Sequence, residues 1–410
     1  MTVVTAILDP YITDWLNLLI RWLHVIAAIA WIGASFYFVL LDQSLEAPTK
    51  VEDLRDGVGG ELWEVHGGGF YHVKKYKVAP PVLPSHLAWF KWEAYTTWLS
   101  GFGLMVVLYY LNARAYLIDP EVADLTPWQA VAISVGLLVA AWIVYDVLCR
   151  VLVRHGVVLW ILIVAFTALA AWGCAQLFQP RAAFLQVGAM IGTIMAGNVF
   201  FNIIPAHWEL INAKKAGRDP DPFPGVVAKQ RSVHNNYFTL PVLFTMIAGH
   251  SAFTYGVERA WIVLLVIMFV GVLSRLFFNL RHQGRTIWAI PVGCVVVLVA
   301  LGVAIRPDTE PTGTGSATVS FSEVSPIVEQ RCATCHSETP TQEGFSTAPA
   351  GVVLGTPEQI AVRADDIERV VSSKSMPLGN VTGMTDEERD LVVAWVAQGA
   401  TTNPKPLRFP

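Results

Sequence analysis

Apolar runs long enough to cross a bilayer recur along most of this chain, and they constrain its fold more than any other feature. They cover roughly 15–41, 87–111, 128–149, 156–178, 183–205, 238–256, 260–280 and 286–305, and about 20 apolar residues suffice for a helix to span the hydrocarbon core. A bilayer tolerates only helices or closed barrels, because every backbone N–H and C=O must find its partner within the protein. Barrel strands need only about 9–11 residues. The expected class is therefore all-α, a polytopic transmembrane bundle of about eight helices. Composition agrees, with 54% hydrophobic residues, only 15% charged and 15 Trp, far from a soluble average.

Charge placement orients the bundle. One set of alternate connections carries Lys50, Arg55, Lys74, Lys75, Lys77, Arg150, Arg154, Lys214, Lys215, Arg218, Lys229, Arg231, Arg281 and Arg285. The other set holds only Arg114, Arg181 and Arg259, beside Asp119, Glu121 and Asp124. Basic loops stay on the cytoplasmic side, so the N-terminus is predicted outside, and an even number of crossings returns the C-terminus there. The first basic residue is Arg21, already inside an apolar run, so no cleavable signal peptide is expected.

Beyond the last apolar run, Cys332-Ala333-Thr334-Cys335-His336 spells C-x-x-C-H. Two thiols three positions apart can each form a thioether with a haem vinyl group, and the adjacent imidazole then falls on the iron. A structural zinc site wants a second ligand pair, and Cys149, Cys174 and Cys294 are single residues in or beside apolar runs, read as small buried hydrophobes. A redox C-x-x-C does not need the His. Met376, followed by Pro377, is the expected sixth iron ligand, with Met384 as its rival. Ser325 to Arg331 reads as a short helix leading into the motif, and Thr385 to Gln398 as an N-capped closing helix. These flanks suit a small class I cytochrome. The expected organisation is a helical domain over 1–305, a Pro/Thr/Gly/Ser linker over 306–320, and a cytochrome c domain with one covalent haem c over 321–410. Haem c is attached in the bacterial periplasm, so this places the bundle in the inner membrane and agrees with the outside C-terminus.

Within the bundle, Arg21, His24, Ala28 and Trp31 share one helical face. An ionisable residue at membrane depth must be paired or line a cavity. His24 could ligate a haem b with Arg21 on a propionate, and His250 could supply the opposite ligand. The alternative is that each His bonds a neighbouring helix. A second group is predicted at the inner face: His86 opening the second helix, His207 closing the fifth, His234 preceding the sixth and His282 ending the seventh. With Glu93, Glu209, Arg231 and Arg275 nearby they suggest a polar pocket open to the cytoplasm. Two of these His could hold a further haem or another metal; singly, each reads as a headgroup-level or capping His. The two longest inside loops, about 43–86 and 206–237, are functional candidates by length. In the first, His66 and His72 flank Gly67-Gly68-Gly69, which permits a tight turn or a close approach to a ligand. No nucleotide-binding, Ser-His-Asp or nucleic-acid signature is present.

The apolar helices, the loop Trp63-Glu64-Val65-His66-Gly67-Gly68-Gly69-Phe70, and the fused Cys332-x-x-Cys335-His336 with Met376-Pro377-Leu378-Gly379-Asn380 together resemble the bacterial membrane-bound urate oxidases. The resemblance spans the whole chain. It implies oxidation of urate to 5-hydroxyisourate, with electrons passing to the fused cytochrome and on to a soluble cytochrome c or terminal oxidase, and no peroxide. Electrons do not usefully tunnel in one step across an apolar core about 30 Å thick. Either urate binds near the outer face, or one or more haem b groups bridge the gap. Urate chemistry asks for a cation and a base, which Arg231 and His234 could supply, with Glu209 and His207 next in line. The competing classes are a non-catalytic electron-transfer subunit, a quinol-linked oxidoreductase and, last, a transporter with a redox sensor. Oligomeric state is not encoded in any of these features.

Overall fold

The computed structural model describes residues 10–306, 318–342, 345 and 347–402. The chain opens with the long helix α1 (Pro10–Ser44) and the short α2 (Val51–Arg55), followed by strands β1 (Val58–His66) and β2 (Gly69–Tyr76). Then come α3 (Trp92–Leu104), which runs into a π-helical turn (Met105–Tyr110), and the short α4 (Ala113–Tyr116). The bundle continues with α5 (Pro127–Val151), α6 (Gly156–Ala175) and α7 (Pro180–Gly197), which passes through a second π turn (Asn198–Ile203) into α8 (Ile204–Lys215). It is completed by α9 (Phe223–Ala248), the short α10 (Ala252–Tyr255), α11 (Ala260–His282) and α12 (Ala289–Ala304).

Among the described residues, five helical stretches are long and apolar enough to cross a membrane: Tyr11–Ser44, Pro127–Val151, Gly156–Ala175, Pro180–Lys215 and Ala260–His282. Helix α12 is equally apolar but shorter. Outward-facing Trp15, Leu18, Leu19, Trp22 and Ile26 on α1 suit a hydrocarbon solvent, where an apolar surface carries no cost. Local signals set the boundaries. Thr126 and Gln129 form a capping box at the start of α5, with Pro127 in the first turn, where its missing N–H costs nothing. The π turn in the α7–α8 stretch lies just before Pro205, whose ring removes one backbone bond and displaces the preceding turn.

Three expectations need correction. The class is not purely α, because the first long inside loop folds as the antiparallel hairpin β1–β2. Gly67 and Gly68 sit at φ +59° and +81°, the two positive-φ positions of a tight hairpin turn, so the glycine triplet is accounted for by the turn. Second, the run at 238–256 is only the outer part of α9. That helix begins at Phe223, so Arg231 and His234 lie inside it rather than before it. Third, α3 begins at Trp92, and His86 therefore sits in irregular chain. The hairpin is tied to the bundle by Tyr37, which donates to Glu64 Oε2 at 2.7 Å, and by Asp42, which receives both Lys75 and Lys229.

The C-terminal part has its own apolar core, built from Val324, Val328, Leu354, Ile360, Val371, Met384, Val392 and Trp395. It consists of α13 (Phe321–Arg331), α14 (Pro357–Val362), α15 (Ala364–Ser372) and α16 (Asp386–Ala397), with 3-10 turns at Pro349–Gly351 and Leu378–Asn380. The closing helix stands where the sequence places it, whereas the first flank begins at Phe321 rather than at the expected Ser325. Both start on capping boxes, Ser320 with Glu323 and Thr385 with Glu388. Most of the expected linker, residues 307–317, lies outside the described residues.

This part rests on the end of the bundle formed by α4 and the chain after it, the end that the charge pattern assigns to the outside. Asn380 Nδ2 donates to Glu121 Oε1 at 3.0 Å, and the Tyr116 and Phe345 rings lie 6.5 Å apart. Gly379 has φ +58°, and a Cβ there would lie 3.0 Å from the carbonyl oxygens of Ala115 and Ile118. A left-handed side chain costs about 1–2 kcal/mol, and this one would also wedge the two surfaces apart. A Glu121→Cys/Asn380→Cys pair is therefore expected to crosslink on oxidation, and adding Gly379→Val is expected to suppress the crosslink. An undiminished crosslink in the triple variant would show that Gly379 does not set this docking.

Candidate functional site

The Cys-Cys-His group is carried on the C-terminal end of α13. Neither Cys332 nor Cys335 is in a disulfide. Burial pushes the Cys332 thiol up to about 11 and raises that of Cys335, so both are protonated and unreactive as nucleophiles near neutral pH. His336 Nδ1 lies 3.0 Å from the Val352 carbonyl oxygen. An Nδ1–H donated there leaves the Nε2 lone pair free, the arrangement that fixes a metal-ligating imidazole. Burial also holds His336 below the usual imidazole range, favouring the neutral form that a metal needs. This donor set fits a covalent haem.

The two Met candidates separate by packing. Met384 is fully buried in the apolar core of this part. Met376 is half-buried, and the buried Arg389 holds its loop by donating to the Met376 carbonyl at 2.7 Å and the Val371 carbonyl at 3.0 Å. Geometry therefore favours Met376 as the residue free to face a ligand.

His24 shows the same second-nitrogen arrangement inside the bundle. Its Nδ1 is 3.0 Å from the Thr97 carbonyl oxygen and 3.1 Å from Ser100 Oγ on α3. Gly101 makes the approach possible, since a Cβ there would stand 2.9 Å from the imidazole Cε1. Donation to a carbonyl leaves Nε2 available, as at His336. Its proposed companions are not assembled around it. Arg21 is exposed and donates to Asn17 at 2.9 Å, while His250 is exposed at the end of α9 and no described contact joins it to His24.

Arg231 and His234 do come together, on one buried face of α9 against α5, α6 and α7. Arg231 is 0% exposed, and its Nη2 donates to Asp146 Oδ1 at 2.8 Å. Asp146 also receives Arg150 at 2.6 Å, and the Arg231 guanidinium lies over the Tyr145 ring. His234 Nδ1 is 2.7 Å from the Tyr145 hydroxyl. Asn198 Nδ2 donates to that hydroxyl at 3.0 Å and to Asn235 Oδ1 at 2.9 Å. With His234 as the Nε2–H tautomer, the Tyr145 hydroxyl donates to His234 Nδ1 while accepting from Asn198. The Trp160 ring closes the site edge-on, 4.7 Å from His234.

Sequence reading missed Tyr145, Asp146 and Asn198. The available signal was Asp146 itself, a carboxylate within the apolar run 128–149, which should have raised the search for a cation at the same depth.

The remaining inner residues do not form one pocket. Glu209 stands on α8, paired with Arg218 at 2.7 Å. His207 lines a cavity with Val78, Pro80, Leu83, Trp89 and Leu210. His86 is exposed. His72 pairs with Glu61 at 2.8 Å and stacks on Trp63 within the hairpin. Among the described residues, no group of three or more His, Cys, Asp or Glu could hold a metal ion.

Comparison with known proteins bears on the helical part. The family described as Urate oxidase N-terminal matches residues 10–306. No curated protein and no solved structure matches the chain.

Proposed function

The chain belongs to the urate oxidase N-terminal family, and on that premise we propose that it is a membrane-bound oxidoreductase converting urate to 5-hydroxyisourate, with electrons leaving through a C-terminal cytochrome c to the respiratory chain. The observation that carries this reading is the joining of the family's helical part to Cys332, Cys335 and a carbonyl-oriented His336. The reaction balances as urate plus water giving 5-hydroxyisourate, two protons and two electrons. No oxygen is consumed, so peroxide is not a product.

Cys332, Cys335, His336 and Met376 would hold a haem c, which supplies a one-electron acceptor when bound. His24 would ligate a haem b in the bundle, its Nδ1 anchored on Thr97. Arg21 and His250, the other residues expected to hold that group, stand apart from His24 in this structure. The rest of the work falls to side chains at the α5–α9 contact. With His234 as the Nε2–H tautomer, a proton from the substrate would enter through the Tyr145 hydroxyl, whose own hydrogen would pass to His234 Nδ1. Asn198 holds the hydroxyl in line. Arg231 keeps Nε and Nη1 as buried unpaired donors, although Asp146 neutralises its charge. Glu209, bonded to Arg218 at the rim, stands as a secondary acid–base candidate.

Tyr145→Phe keeps the ring and removes the proton path. Its expected effect is a roughly 100-fold or greater loss of turnover, typical of a general acid–base group, with near-normal KM. The assay follows loss of urate absorbance together with haem reduction in purified protein. Haem reduction by quinol but not by urate would favour the quinol-linked alternative instead.

A further inference from the structure

Arg275 is a buried cation in the bundle that no described carboxylate balances. It lies on α11, is 3% exposed, and no described carboxylate comes within ion-pair distance of it, in contrast to Arg231 with Asp146. Its Nε donates to Asn236 Oδ1 on α9, and its guanidinium lies 3.9 Å from the centroid of the Phe36 ring on α1. Its Nη2 is buried without a partner. One turn further along α11, Asn279 is 4% exposed and its Oδ1 is also unpartnered, and His282 Nδ1 after that is unpartnered too. Residues 275, 279 and 282 share one helix face, which leads toward the end of the bundle carrying the basic loops.

A buried cation without a counter-charge is strongly unfavourable, and buried polar atoms are normally bonded. The missing partner must supply negative charge and an acceptor to Arg275, and a donor to Asn279 Oδ1. A carboxylate or an inorganic anion deprotonated throughout offers only acceptors. A flat heterocyclic anion with alternating C=O and ring N–H groups offers both. From this we infer that Arg275, oriented by Asn236 and Phe36, forms with Asn279 a capture site for the urate anion near the inner end of the bundle. The inference rests on the urate reading for the identity of the ligand, not for the existence of the site. His234 and Asn236 are about 200° apart around α9 at roughly 100° per residue. The capture site is therefore separate from the Tyr145–His234 pair and governs binding rather than proton transfer.

Two variants test it in the full-length protein in detergent. Arg275→Gln removes the charge, and Asn279→Asp supplies an internal counter-charge at nearly constant volume. Each is expected to raise the KM for urate at least tenfold with kcat changed less than twofold, and to abolish the urate-dependent rise in melting temperature expected of the unaltered protein. Unchanged KM and an unchanged thermal response in Asn279→Asp, the variant that preserves packing, would overturn the site in favour of bound water. A normal KM with an altered b-type haem spectrum would overturn it in favour of a haem propionate. If the unaltered protein binds urate at this site but does not oxidise it, the capture site stands and the enzymatic reading fails.

Discussion

Replacing both Cys332 and Cys335 by Ala is expected to leave a protein with no covalently attached haem and only background electron delivery to an external acceptor. The loss should exceed the roughly 10–100-fold that follows from removing a ligand's supporting partner, because here the attachment itself is gone. The fold should survive. Val324, Val328, Leu354, Met384 and Trp395 make the core of the C-terminal part independently of the two thiols, and both thiols are only partly exposed at its edge. The bundle, with its own core centred on Tyr145, Phe178, Phe184 and Leu264, should still bind urate. The check is a haem-stained denaturing gel alongside the thermal response to urate. Covalent haem surviving in the double variant would remove the basis for assigning this motif.

Asp146→Ala is expected to have the largest effect on stability. It strands Arg231, whose side chain is 1% exposed, with no other carboxylate in contact. Removing one partner of a buried pair typically costs about 3–5 kcal/mol. The residual exposure of Asp146, 13% for the side chain, places this pair toward the lower end, about 3 kcal/mol. The double variant Asp146→Ala/Arg231→Met should recover most of that loss, since it leaves no uncompensated charge. A thermal melt in detergent reads both. A single variant as stable as the unaltered chain would mean that Arg231 finds another partner, and a double variant no better than the single would mean that the packing, not the charge, was lost.

The legible part of this protein was the part written in local patterns. Apolar run length marked most of the long helices, an N-cap at Thr385 located the closing helix after the C-x-x-C-H motif, and spacing alone marked Cys332, Cys335 and His336. What was not legible depends on where elements meet. The hairpin at 58–76 hid inside a loop because its strands alternate weakly, and Trp63, Val65 and Phe70 are exposed. The start of α9 was placed too late because residues 223–237 are polar, and a run-length criterion stops where polarity begins. Those polar residues are helical because they bury against other helices: Arg231 on Asp146, Asn235 on Met195, Asn236 on Arg275. The pairing of Tyr145 with His234 joins residues 89 positions apart, and one sequence carries no trace of that contact. His24 was legible as an unusual residue at membrane depth, but its partners Thr97 and Ser100 were not.

The account's central claim is that electrons taken from urate reach the C-terminal haem within one chain. It is tested most directly by mixing the purified, oxidised protein with urate in the absence of oxygen and recording the full spectrum. Loss of urate absorbance should be matched by reduction of a c-type haem, two electrons per urate, with no peroxide formed when oxygen is later admitted. Urate consumed while the c-type haem stays oxidised, or no reaction until a quinol or a partner protein is added, would contradict it.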